Sequence, residues 1–159
     1  MNSAHAIDPA QSEGELNDAL SKLETALLSP VVAGELESWA RTAQDAATCL
    51  AERLPAHLKF VLHPQYAEIA KSDAELLPKV EQLVAEDQKV ALEQDAFRTH
   101  LNDFAKLASQ IKKDEARVSA ERTKLEQAGL DLVLRIKRQR AAASTWLAEA
   151  NYRDRGTVD

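Results

Sequence analysis

The chain has 159 residues, 45% apolar and 29% charged, with a formal charge of −6, which is one globular domain's worth of sequence. Four glycines, five prolines and 4% aromatics, set against long stretches of Ala, Leu, Glu, Lys, Gln and Arg, exclude a β-sandwich and disfavour an α/β fold. The acidic total argues against general nucleic-acid binding, and no run approaches the ~18 apolar residues of a membrane span.

Residues 1–11 read as a flexible tail. Ser12 and Glu15 form an S-x-x-E capping pattern, and Leu16, Leu20, Leu23 and Leu27 follow at helical spacing, which predicts a first helix over 12–28. Ser29-Pro30 reads as an N-cap followed by a first-turn proline. A second helix then carries Leu36, Trp39, Ala43, Ala46, Leu50 and Leu54, and Pro55 is expected to kink or end it. Leu58 to Leu62 continue the apolar pattern to His63-Pro64, and Tyr66, Ile69 and Ala70 suggest a last short turn. Ser72 and Glu75 form a second capping pattern, while Pro78 requires either a kink or a start near Leu77.

Beyond this point Val80, Leu83, Val90, Phe97, Leu101, Phe104, Ala108 and Ile111 form one stripe, interrupted by Asp87 and Gln94. The register continues through Val118, Leu125, Leu132 and Ile136, with Glu115, Arg122 and Gly129 as breaks. This is either one helix of over ~100 Å, which needs a partner chain, or two antiparallel helices turning within 108–116. The second reading gives an all-α, up-down-up-down four-helix bundle with long helices 2, 3 and 4. The bundle spans 12–153, with a short tail over 154–159. The first gives an elongated coiled-coil dimer.

Charge is unevenly spread. Residues 1–110 hold 9 Lys/Arg against 18 Asp/Glu, and residues 111–159 hold 11 against 8. The basic cluster Arg135, Lys137, Arg138 and Arg140 therefore reads as the answer to acidic neighbouring helices. It has no interleaved aromatics for base stacking. Cys49 is alone and cannot form an internal disulfide, and the N-terminus Met-Asn-Ser-Ala-His-Ala has neither a basic nor an apolar leader region. Both fit a cytoplasmic protein. Cys49 itself reads as a small core residue.

Several stretches together resemble the hemerythrin-like (HHE cation-binding) helical proteins. They are Trp39 early in helix 2, the segment Leu54-Pro55-Ala56-His57-Leu58-Lys59-Phe60-Val61-Leu62-His63-Pro64-Gln65-Tyr66, the segment Leu83-Val84-Ala85-Glu86-Asp87, and the ending from Leu147 to Asp159. The resemblance spans most of 31–159. It implies a four-helix bundle and, in metal-binding members, a di-iron centre held by histidines and carboxylates inside it. The chain departs at those ligands. The family's H-x-x-x-E reads His57…Val61, the helix-3 histidine is Asp87, and the helix-4 stretch reads Arg138-Gln139-Arg140-Ala141-Ala142-Ala143.

The histidines bear this out independently. His57, His63 and His100 are followed four residues on by Val61, Ala67 and Phe104, and preceded three residues back by Leu54, Phe60 and Phe97. Neither H-x-x-x-H nor E-x-x-H occurs. A remnant metal site has only His57, His63 and Asp87 to draw on. Asp87, a carboxylate in an apolar stripe, is expected to pair with Arg122, Arg138 or Arg140. No glycine-rich phosphate loop, nucleophile elbow or cysteine-rich zinc motif is present. The expectation is a non-enzymatic bundle without a di-iron centre or cofactor. Its work is structural, or is done through a protein partner or self-association. No small-molecule ligand is identifiable. The alternative is a metal- or oxygen-responsive protein with a reduced ligand set.

Overall fold

A computed structural model describes residues 8–32, 34–110 and 115–156, and among these the regular structure is entirely helical. The elements are α1 (Pro9–Leu28), α2 (Leu36–His57), a π-helical turn (Leu58–Leu62), α3 (His63–Ser72), a 3-10 turn (Ala74–Leu76), α4 (Leu77–Gln110) and α5 (Glu115–Arg155). No helix among the described residues is long and apolar enough to cross a membrane.

The first helix starts earlier than Ser12. The Asp8 carboxylate accepts from the Ala10 N–H and Pro9 opens the first turn, so an Asp-Pro pair supplies both cap and pre-set φ. Ser12 is buried inside the helix, and residues 9–11 belong to it rather than to a tail. Likewise Pro30 does not open α2. Ser29 is the C-cap of α1, and the helix resumes only at Leu36. Gly34 lies between them at φ +91°, a conformation in which a side chain is strained, and it breaks the helical path there.

Pro55 does not end α2. It sits on an exposed face, where the carbonyl it leaves without an N–H partner can turn to solvent. The chain stays α-helical through it to His57 and widens only afterwards, where the His63 N–H reaches back five residues to the Leu58 carbonyl. This π turn resets the phase, so that Leu54 and His57 before it and Leu62, Tyr66 and Ile69 after it all point inward. At the next junction Asp73, not Ser72, provides the cap, accepting from the Glu75 N–H at 2.9 Å. α4 begins at Leu77, which places Pro78 harmlessly in its first turn.

α4 and α5 pack on each other within one chain, antiparallel: Asp87 meets Gln139, and Phe97 meets Gly129. The single uninterrupted helix is thereby excluded. α4 ends at Gln110 and α5 begins at Glu115, and residues 111–114, on which the expected turn and Ile111 fall, lie outside the described residues. Ion pairs and one amide–amide hydrogen bond run across the other helix pairs. Arg53 of α2 reaches Glu15 of α1, Gln44 of α2 reaches Asn102 of α4, and Arg140 of α5 reaches Glu13 of α1. Arg135 pairs with Glu86 and Glu93, and Lys137 with Glu24. The basic cluster on α5 thus answers acidic helices on both sides.

Two apolar clusters form the interior. The larger draws on α1, α2, α4 and α5 and includes Leu16, Leu20, Leu23, Leu27, Leu50, Phe97, Leu101 and Leu132. Trp39 packs there edge-on against Phe104, with ring centroids 5.6 Å apart, under the Arg122 guanidinium. Arg122 also donates to the Ser29 carbonyl and so satisfies the end of α1. The smaller cluster joins Leu62, Tyr66 and Ile69 to Leu76, Val80, Leu83, Ala143 and Ala150. Between the two clusters lies a polar layer.

Candidate functional site

Asp87 reaches the interior because α4 carries it at the stripe position between Leu83 and Val90, both buried. It is 7% exposed. Its partners are not arginines. The Tyr66 hydroxyl donates to Oδ2 at 2.9 Å and the Gln139 amide donates to Oδ1 at 3.0 Å. The expected pairing with Arg122, Arg138 or Arg140 is therefore corrected. Arg122 serves Ser29 and Glu126, Arg138 is exposed, and Arg140 turns outward to Asn17 and Glu13. A neutral amide and a phenol satisfy the carboxylate without bringing a second full charge out of water.

Gln139 is the hub of this layer. Its Nε2 lies 2.7 Å from the Leu83 carbonyl, 3.0 Å from Asp87 and 3.2 Å from the Tyr66 oxygen, so two amide hydrogens serve three acceptors. Burial pushes the Asp87 carboxyl above its ordinary value, and the two hydrogen bonds work against that push. Burial and the adjacent Asp87 raise the Tyr66 hydroxyl well above its ordinary range, so it remains a donor.

His57, the last residue of α2 before the π turn, is fully buried. Neither ring nitrogen has a hydrogen-bond partner among the described residues. Burial, with the nearby Arg140 charge, lowers its pKa to about 4, so the ring is neutral at pH 7. His57 and Asp87 line one small cavity of about 10 Å³ together with Gln139, Arg140 and the apolar Leu54, Leu58, Leu62, Val90 and Ile136. His63 does not join them. It is exposed, its ring 6.1 Å from that of Tyr66. His100 is also exposed, in a wide groove of about 640 Å³ between α4 and α5 at the other end of the molecule. That groove is lined by mostly exposed charges of both signs over Phe104, Leu107 and Leu125.

The donor set does not fit a di-iron centre. No three His, Cys, Asp or Glu side chains converge among the described residues. Val61 and Ala143, which stand where the hemerythrin-like pattern would place ligands, are buried and apolar. The Asp87 oxygens are engaged by Tyr66 and Gln139. Compared with known protein families, with curated proteins and with solved structures, the chain matches none.

Tyr66 and Gln139 were missed as site residues in the sequence. Gln139 left a usable signal: it follows Ile136 by three and precedes Ala143 by four, on the buried stripe of α5, just as Asp87 breaks the stripe of α4. Two polar breaks in facing stripes point to one another.

The neutral burial of His57 has a pH consequence. Its unfolded value near 6.5 exceeds its folded value of about 4, so on acidification the unfolded chain takes up the proton first. The His57 contribution is fully present above pH 6.5 and is lost as pH falls to 4, by about 2 kcal/mol between pH 7.5 and 5. Asp87 acts in the opposite sense, because its raised folded pKa lets the native state protonate first. Urea unfolding at the two pH values should show His57→Leu losing less stability than the parent by that amount. Equal losses would mean that burial does not lower the His57 pKa in the folded protein.

Proposed function

We propose that this chain is an up-down-up-down four-helix bundle of the hemerythrin-like kind that has exchanged a metal centre for a hydrogen-bonded polar layer. We propose further that it acts without catalysis, as a structural or partner-binding protein of the cytoplasm. The observation that carries this reading is the engagement of both Asp87 oxygens by Tyr66 and Gln139, between two apolar clusters of the interior. A carboxylate held in this way orients α3, α4 and α5 against one another.

The test is the iron content and visible spectrum of protein purified from iron-supplemented cells. The expected result is far less than one iron per chain and no oxo-bridge absorption. Two irons per chain with that absorption would overturn the reading. For the bundle topology, small-angle scattering should give a maximum dimension of ~60 Å, set by the 41 residues of α5. A value near ~100 Å would contradict the bundle.

One observation favours a second reading, a metal-responsive protein with a reduced ligand set: the unpartnered His57 shares its cavity with Asp87. In that case a divalent metal raises the melting temperature of the parent and not of His57→Ala. No shift in the parent would remove this alternative.

A further inference from the structure

We propose that the cavity beside His57 is a binding site for a single water molecule, held between the His57 imidazole, the inner face of Arg140 and the Asp87 carboxylate. The inference rests on the cavity itself and is independent of the function proposed above.

Three buried polar atoms at this one place lie without partners among the described residues: both ring nitrogens of His57 and Nε of Arg140. Both residues line the same cavity. The outer nitrogens of Arg140 are committed elsewhere, Nη1 to Asn17 at 2.6 Å and Nη2 to Glu13 at 3.3 Å, so only Nε is left on the inner side. A neutral imidazole presents one N–H donor and one lone-pair acceptor. Buried groups of this kind are hydrogen-bonded in folded proteins, and leaving them bare is costly.

The chemistry of the guest follows from these groups. It must accept from a guanidinium N–H and donate to an imidazole nitrogen, so it carries both functions. It must also fit about 10 Å³, the space of roughly one water sphere. A chloride ion cannot donate, and the Asp87 carboxylate in the cavity wall disfavours any anion. A single water meets these requirements for Arg140 Nε and for one of the two His57 nitrogens. It accepts from Arg140 Nε–H, donates to the His57 acceptor nitrogen, and has a second hydrogen for an Asp87 oxygen, which has a lone pair to spare. The water would extend the Tyr66–Asp87–Gln139 layer to α2, so that the π turn, α4 and α5 share one polar connection.

The test is nuclear magnetic resonance on the full chain labelled with ¹⁵N in histidine. The expected result is a single neutral tautomer of His57, its unprotonated nitrogen shifted as a hydrogen-bond acceptor, and a cross-relaxation peak between the ring and a long-lived water. Oxygen-17 relaxation dispersion should lose the amplitude of one water in His57→Leu. A parent protein with no water contact at the His57 ring overturns the proposal, and this needs no variant to fold. An unchanged dispersion amplitude in a folded His57→Leu variant overturns it equally.

Discussion

Replacing Gln139 with leucine should destabilise the protein by about 3 kcal/mol, measured by urea unfolding at pH 7. The change removes the amide that donates to Asp87, to the Leu83 carbonyl and to the Tyr66 oxygen. A hydrogen bond to a charged group contributes roughly 1.5–3 kcal/mol, and a buried acceptor left bare adds its desolvation cost. Asp87→Leu should cost less, under about 1 kcal/mol. It removes the buried charge itself, and Tyr66 and Gln139 keep each other as partners. In the double mutant, Gln139→Leu should cost much less than it does in the parent. Simple additivity would mean that the two side chains do not interact.

The second large effect is expected at Gly129. A β-carbon built there would lie 2.4 Å from Leu27 Cδ1 and 2.9 Å from Phe97 Cζ, both buried side chains of neighbouring helices. In an exposed helix, Gly→Ala gains about 1 kcal/mol. Here overpacking costs about 1–3 kcal/mol and outweighs the gain, because Leu27 and Phe97 have packed neighbours on their far sides. Gly129→Ala should therefore lose about 1 kcal/mol net, and Gly129→Val about 3 kcal/mol, with a lower thermal midpoint in each case. A stabilised Gly129→Ala would show that α1, α4 and α5 do not close on this position. What reads in the sequence as an interruption of the apolar stripe is the point of closest helix approach.

Local periodicity carried the fold a long way. The stripe residues Val80, Leu83, Val90, Phe97, Leu101 and Phe104 on α4 are all buried, as are Val118, Leu125, Leu132 and Ile136 on α5. The polar breaks Asp87 and Gln94 are buried with them, because the backbone phase that turns the leucines inward turns these residues inward too. Helix ends were less legible. Ser12, Ser29-Pro30 and Ser72 each offer plausible cap chemistry, but Asp8-Pro9, Gly34 and Asp73 set the boundaries. Several adjacent residues can cap, and tertiary packing chooses among them. The π turn was hidden as well. Two prolines read as breaks, and only the need to keep Leu62, Tyr66 and Ile69 inward shows that the chain widens instead.

The partner of Asp87 was the least legible feature. Spacing along one helix says nothing about the axial level at which another helix crosses it. Arg138 and Arg140 flank Gln139 in sequence, yet it is Gln139 that comes within hydrogen-bond distance of Asp87, while the outer nitrogens of Arg140 turn to Asn17 and Glu13. The expectation of an arginine followed charge and overlooked that buried carboxylates are also satisfied by neutral donors.

The central claim is that Asp87 is a buried carboxylate satisfied by Tyr66 and Gln139, and the most direct measurement follows its side-chain carboxyl carbon by nuclear magnetic resonance through an acid titration. The midpoint should lie above the ordinary value of 3.8 in the parent protein. It should rise further in Gln139→Leu, because a donor to the charged form has been removed. A midpoint at the ordinary value in both proteins would place Asp87 in bulk solvent, without the Tyr66 and Gln139 hydrogen bonds.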